Sequence, residues 1–164
     1  MSVTGKAHLL LIERVLLLKS LSIFSETPET ILADLAPLMK DLEYEEGAAI
    51  FREGDLGDSM YIIYRGEIGI YKASTTLAVL KEKDVFGELS LIDAEKRSAS
   101  AKALTDCFLF KIDQEPFFEL IDSRPEIAKG FMKMLCRRLR VLNESYDAEK
   151  IINNYTEQNN KPSL

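Results

Sequence analysis

Across residues 41–112 the chain alternates short apolar runs with turn residues, and this alternation restricts the possible fold more than any other feature of the sequence. The runs, which are rich in β-branched residues and tyrosine, are Ala48–Phe51, Met60–Tyr64, Glu67–Lys72, Leu77–Leu80, Ser98–Leu104 and Cys107–Ile112. We interpret the glycines beside them as turn residues, at Gly47, Gly54, Gly57 and Gly66. Many short strands at close spacing predict an antiparallel jelly-roll β-barrel.

Helical patterns flank this strand-rich segment. Apolar residues cluster from Leu9 to Leu18 without Gly or Pro, and a second helix is predicted to open near Pro28. Asp113 is a candidate N-cap for the helices that follow the barrel. The long last helix carries apolar residues three or four positions apart, on a face that suits core packing or a dimer contact: Phe131, Leu135, Leu139, Leu142 and Tyr146. The predicted fold class is α+β and mainly β, with N-terminal helices and a long C-terminal helix.

A length of 164 residues suits one domain with a sizeable core. We divide the chain into N-terminal helices at 1–40, the barrel at 41–113, C-terminal helices at 114–152 and a polar tail at 153–164. No internal repeat and no second domain are evident.

Composition and charge limit the classes of partner. The formal net charge of −6 gives no global attraction for nucleic acid or anionic lipid, so an anionic ligand needs a local positive site. Apolar residues at 9–18 are interrupted by Glu13 and Arg14 and are too few for a membrane span. Cys107 and Cys136 lie among apolar neighbours, which predicts buried free thiols. With no evident signal peptide, we expect a cytoplasmic protein.

The segment 86–99 carries the groups that could bind an anion. Residues 88–92 can form one helical turn, whose first N–H groups lack intrahelical partners and suit a negative charge. Gly87 allows a ligand close to the backbone. Arg97 can hold a phosphate through two parallel hydrogen bonds, and Ser98 adds a hydroxyl beside it. Glu88 suits a neutral hydroxyl on the same ligand, such as that of a ribose.

These residues, in this order, resemble the phosphate-binding cassette of the cyclic-nucleotide-binding domain family, as found in sensor domains of the catabolite activator protein type. The cassette reads Phe86-Gly87-Glu88 and then Arg97-Ser98-Ala99. The preceding family signature is also present, as Phe51-Arg52-Glu53-Gly54-Asp55, then Gly57-Asp58-Ser59-Met60-Tyr61-Ile62-Ile63, then Gly66. The resemblance extends roughly from Leu16 to Tyr146.

The resemblance implies a role for each cassette residue. Arg97 would pair with the cyclic phosphate, assisted by Ser98 and by the backbone of Leu89 and Ser90. Glu88 and the backbone of Gly87 would bind the ribose 2′-hydroxyl.

The base would rest on apolar barrel side chains, for which Leu77 and Val85 are the candidates. The segment 114–152 would act as hinge and lid, with Leu142 and Asn143 over the base and Arg138 reaching back to Glu88.

The function implied is a sensor that binds a cyclic nucleotide, cAMP in preference to cGMP, and relays binding through the C-terminal helix. Its partner would be a second copy, bound through that helix, or an effector protein. Some family members continue into a helix-turn-helix domain, whereas only the polar tail follows here, so direct nucleic-acid binding is not expected. The alternative is a degenerate domain that has lost its ligand and acts as a dimerisation or docking module.

An enzymatic function is not expected. Cupin enzymes have a similar barrel and bind metal through histidines, but His8 is the single histidine and lies outside the predicted barrel. No nucleophile–base pair can be identified. We therefore expect no metal and no cofactor.

Overall fold

Two four-stranded antiparallel sheets form the centre of the molecule in the computed structural model, which describes residues 9–159. The strands are β1 (Lys40–Tyr44), β2 (Ala49–Phe51), β3 (Ser59–Arg65), β4 (Ile68–Lys72), β5 (Thr75–Leu80), β6 (Val85–Phe86), β7 (Ser100–Ala103) and β8 (Cys107–Asp113). One sheet has the order β1-β8-β3-β6 and the other β2-β7-β4-β5. The predicted antiparallel jelly roll is confirmed.

Helices precede, interrupt and follow the strands. They are α1 (Leu11–Ser20), α2 (Glu29–Leu35) with a 3₁₀ turn at Ala36–Leu38, α3 (Glu88–Asp93), α4 (Gln114–Ser123) and α5 (Glu126–Asn159). By residue count the helices exceed the strands, because α5 alone has 34 residues. None of the helices within the described range is both long and apolar enough to cross a membrane.

The first sheet is covered on both faces, which explains its continuous apolar runs. In β3, Met60 and Ile62 pack with the helices, whereas Tyr61 and Ile63 face the core between the sheets. Successive side chains of a strand point to opposite faces, so a strand covered on both sides requires apolar residues throughout.

The C-terminal part differs from the prediction in the length of its last helix and in the burial of that helix's apolar stripe. The polar tail expected at 153–164 is helical as far as Asn159, and residues 160–164 lie outside the described range. Of the predicted apolar stripe, Phe131 is buried, whereas Leu139, Leu142 and Tyr146 are exposed. The first part of α5 therefore packs on the body of the domain, and residues 139–146 are exposed.

Two further predictions are corrected in detail. Cys107 is buried but Cys136 is exposed, because it lies on the outer side of α5. Asp113 is the N-cap residue of α4, yet its side chain makes no capping hydrogen bond and pairs instead with Lys40 and Lys111.

Candidate functional site

A cavity of about 290 Å³ opens beside α3, and its lining combines a polar and an apolar set of residues. The polar set consists of the predicted cassette residues Gly87, Glu88, Leu89, Ser90, Arg97 and Ser98, together with Arg138 from α5. The apolar set consists of Phe51, Ile70, Leu80, Val85, Phe86 and Ala99. The structure thus brings together all six residues to which the sequence assigned phosphate and ribose contacts.

Gly87 starts α3 in a conformation that favours glycine. It is the N-cap residue of this short helix, with φ at 74°. A Cβ added to it would lie 2.6 Å from Nη1 of Arg97. Both the backbone conformation and this close contact therefore favour glycine over a residue with a side chain. Leu89 and Ser90 follow in the first turn, where backbone N–H groups lack intrahelical partners, and both residues line the cavity.

Arg97 is the most deeply buried cation of the site, with 5% of its surface exposed. Its Nη1 donates to the Gly87 carbonyl oxygen at 3.3 Å and its Nη2 to Ser59 Oγ at 3.0 Å. The guanidinium lies over the Phe51 ring, 4.2 Å from the centroid. Its Nε is buried and has no hydrogen-bond partner within residues 9–159.

The charge of Arg97 is not neutralised by a close carboxylate. Burial lowers the pKa of the guanidinium below its usual value, and the more distant Tyr61, Asp58, Asp55 and Glu88 only partly oppose this effect. No ion pair of Arg97 with a carboxylate occurs among the described residues. Arginine remains protonated in proteins. A buried cation without an ion pair at the wall of a cavity is suited to hold an anion.

Gly57 lies against the cassette, whereas sequence reasoning assigned it only to a turn. A Cβ on it would lie 2.5 Å from Ser90 Oγ and 2.7 Å from Arg97 Nε. Gly47 and Gly54, by contrast, have φ at +87° and open space around them, as turn glycines do. Gly57 therefore leaves room for the cassette. The signal was available, because Gly57 belongs to the family signature that precedes the cassette.

Glu88 connects the cavity to α5. Its carboxylate is 4% exposed, and its Oε1 accepts a hydrogen bond from Nη1 of Arg138 in an ion pair. The two side chains that were expected to meet are thus in contact. Within the part of the chain that the structure describes, this hydrogen bond links the cassette directly to the last helix.

The structure does not bring the other predicted base and lid residues, apart from Val85, to the cavity. Leu77 is 56% exposed and lies on the edge strand β5, of which residues 75–79 are all exposed. A β-bulge also leaves it without a partner in β4, because Ile70 pairs with Ala78 and Tyr71 with Thr76. Leu142 and Asn143 lie exposed on α5, one turn beyond Arg138, and neither lines the cavity. The apolar lining of the cavity includes Ile70, Leu80 and Val85, of which the sequence identified only Val85.

Metal-ligating side chains do not cluster in the part of the chain that the structure describes: no group of three His, Cys, Asp or Glu residues lies close enough together to hold an ion. His8 lies outside that part.

Comparison with known proteins identifies the family. A sequence model described as the cyclic nucleotide-binding domain matches residues 41–124, which is half of the chain. The chain belongs to the cyclic nucleotide-binding domain family. The matched range contains β1 apart from its first residue, the other seven strands in full, and α3, Arg97 and α4.

Two of the relatives come from bacteria. The chain is 30% identical to the CRP-like cAMP-activated global transcriptional regulator of Mycobacterium tuberculosis, over 75% of this chain and 57% of the relative. It is 37% identical to the Cyclic AMP receptor protein of Thermus thermophilus, over 59% of this chain and 47% of the relative. The chain thus spans about half the length of the curated relatives it matches.

A solved structure extends the similarity to the fold. The N-terminal domain of a transcriptional regulator from Streptomyces coelicolor A3(2) superposes with a TM-score of 0.70 at 29% identity. The match covers 78% of this chain and 95% of that domain. The helices and both sheets therefore follow an arrangement already known from a regulator's N-terminal domain.

Proposed function

We propose that this chain is a regulatory sensor domain that binds cAMP and does not catalyse a reaction. The observation that carries the proposal is the buried Arg97, whose charge has no close carboxylate and whose guanidinium lines a cavity behind the first turn of α3. The names of the two curated relatives, both of which refer to cAMP, support the choice of ligand.

The lining of the cavity suits the three parts of a cyclic nucleotide. The cyclic phosphate would pair with Arg97 and accept hydrogen bonds from Ser98 and from the N–H groups of Leu89 and Ser90. The ribose 2′-hydroxyl would donate to Glu88. The base would lie on the apolar wall of Ile70, Leu80 and Val85.

The ion pair between Glu88 and Arg138 gives the ligand a route to α5. A ribose hydroxyl would add a second hydrogen-bond partner to the Glu88 carboxylate, which already binds Arg138. A base in the cavity would lie beside the Arg138 guanidinium. Ligand binding thereby favours one position of α5 over another, which is a population shift driven by differential contacts.

A catalytic role finds no support in the lining. The hydroxyls of Ser90 and Ser98 have no histidine beside them in the cavity, and Glu88 is engaged by Arg138. We propose a ligand and no cofactor, and a homodimer or an effector protein, contacted through α5, as the output. DNA binding is not assigned to this chain.

The test is isothermal titration with cAMP and cGMP, using protein first checked for carried-over nucleotide. We expect cAMP to bind in the micromolar range or more tightly. Arg97→Ala removes a charged hydrogen-bond partner and should cost about 1.5–3 kcal/mol, which is roughly a tenfold to hundredfold loss of affinity. The matched control is Arg65→Ala, since Arg65 is exposed and lies outside the cavity lining.

Each other outcome has a definite meaning. Absence of binding to either nucleotide by folded, ligand-free protein would reject the sensor and favour the degenerate docking module. A preference for cGMP would reject only the ligand choice. An equal loss in Arg65→Ala would show that the effect of Arg97→Ala is not local to the cavity.

A further inference from the structure

The first half of α5 concentrates positive charge in an acidic chain. Residues 127–143 contain five cations and no carboxylate, namely Lys129, Lys133, Arg137, Arg138 and Arg140, although the whole chain carries a net charge of −6. Such segregation is not required for helix solubility, for which mixed charges serve equally well.

These cations divide between two sides of the helix. Arg138 points to the nucleotide cavity, where it meets Glu88. The other four line a separate surface cleft of about 550 Å³ along one face of α5, with Glu26 of the segment that joins α1 to α2 at its edge. We call this cleft the basic groove and define it by Lys129, Lys133, Arg137 and Arg140, with Met132 and Cys136 between them.

Contacts beside the basic groove hold α5 against the segment that joins α1 to α2. Gly130 brings α5 against the joining segment, since a Cβ there would lie 2.6 Å from the Ile23 carbonyl oxygen. Arg137 Nη2 donates to the Ser22 carbonyl oxygen at 3.0 Å, and Lys133 pairs with Glu26. The groove is therefore formed before any partner arrives, which limits the ordering cost of binding.

The groove has an excess of positive charge. Glu26 is the one carboxylate in its lining and is already paired with Lys133. Lys129 and Arg140 have no ion pair among the residues that the structure describes. Met132 is 56% exposed between these cations, so the surface offers an apolar contact as well as charge.

We propose that the basic groove binds an acidic peptide segment of a partner protein, with carboxylates on Lys129, Arg137 and Arg140 and one apolar side chain on Met132. Charge complementarity favours an anionic occupant. The lining cations lie in a strip along one face of α5, which an extended or helical segment can follow. The overall charge of −6 also opposes approach to a large polyanion. The groove shares no lining residue with the nucleotide cavity, so the proposal does not require the proposed ligand.

The test uses the full chain and a labelled twelve-residue peptide in which Asp and Glu flank a central leucine, read by fluorescence anisotropy without nucleotide. The groove variant is Lys129→Glu with Arg140→Glu, because neither side chain has an ion pair to lose. The matched control is Lys72→Glu with Lys102→Glu, two exposed strand residues whose reversal changes the net charge equally. Thermal melting confirms that both variants fold.

We expect the wild-type chain and the control to bind the peptide, and the groove variant to bind at least about tenfold more weakly. A peptide with Asn and Gln in place of Asp and Glu should not bind. Failure of the wild-type chain to bind, or an equal loss in the control, overturns the proposal. So does a preference for phosphatidylserine vesicles over the peptide, or a self-association by ultracentrifugation that the groove variant alone abolishes, since these identify a membrane or a second copy as the occupant.

Discussion

Gly57 and Gly87 together form the space that the Arg97 guanidinium occupies. An added Cβ would lie 2.7 Å from Arg97 Nε at the first position and 2.6 Å from Arg97 Nη1 at the second. Ser59 and Phe51 complete the enclosure with a hydrogen bond and a ring face. The position of one charge in the cavity thus depends on four neighbours that come from three different parts of the chain.

Replacing Gly57 by alanine should displace Arg97 and Ser90. Overpacking of this kind costs about 1–3 kcal/mol, and we expect cAMP affinity to fall by roughly tenfold or more, measured by titration. Gly47→Ala is the control, because it introduces unfavourable φ at a site with open space and should lower stability without changing affinity. Wild-type affinity in Gly57→Ala would show that the cassette can rearrange around a methyl group.

The sequence predicted the site residues that follow one another along the chain. It was less informative about residues whose position depends on how two strands pair. Gly87 to Ser90, Arg97 and Ser98 all line the cavity because they lie close together along the chain. Leu77 does not, because it lies at a bulge on the edge strand β5, of which residues 75–79 are all exposed. Pairing register depends on both strands and their turn, so no inspection of β5 alone predicts which of its residues faces inward.

At the scale of elements, Asp113 connects three of them. It ends β8, precedes α4 as its N-cap and pairs with Lys40 of β1. Burial raises the pKa of its carboxyl, but hydrogen bonds from Lys111 and Lys40 outweigh burial, and the pKa is lowered overall. The sequence predicted the N-cap position correctly. It could not predict the side-chain partners, since these come from β1, more than seventy residues earlier.

This lowered pKa determines the direction of a pH effect. The native state binds fewer protons at Asp113 than the unfolded chain, so its stabilisation is complete above the unfolded value of about 4 and is lost as pH falls through the lower native pKa. Urea unfolding at neutral pH and near pH 3 should show a smaller acid-induced loss of stability in Asp113→Asn than in wild type, by about 1 kcal/mol or less. Asp122→Asn, an exposed control, should behave as wild type. Equal acid dependence in all three proteins would contradict the assignment.

The spacing of its apolar residues predicted the length and the amphipathic start of α5. It did not predict which of these residues pack against the rest of the domain. Phe131 and Met134 meet the core, whereas the stripe continues through Leu139, Leu142 and Tyr146 without contact to the body of the domain. A periodic pattern shows that a face is apolar and does not show what lies against it.

At the scale of the whole molecule, the two sheets place the cavity against the helix that carries the basic groove. Arg137 and Arg138 are adjacent in sequence but contact Ser22 and Glu88, on two different sides of α5. A displacement of α5 by ligand would therefore move Arg138 in the cavity and its neighbour Arg137 in the groove together.

Hydrogen exchange should detect this displacement. We expect cAMP to slow amide exchange across residues 127–143, because ligand contacts favour one position of α5. Arg138→Ala should reduce this protection while leaving the slowing around residues 87–98 in place. Unchanged exchange of 127–143 in the ligand-bound wild-type chain would refute the relay and leave the binding site unaffected.

The enclosure of Arg97 also has a thermodynamic consequence for the free domain. A buried cation with an unpartnered Nε opposes folding, so the ligand-free domain is less stable than its apolar core alone would make it. An anion that binds only the folded state adds stability in proportion to the logarithm of its concentration. Under the proposed function, the amount of folded domain in a cell, and hence its lifetime against proteolysis, would rise and fall with the level of its own ligand.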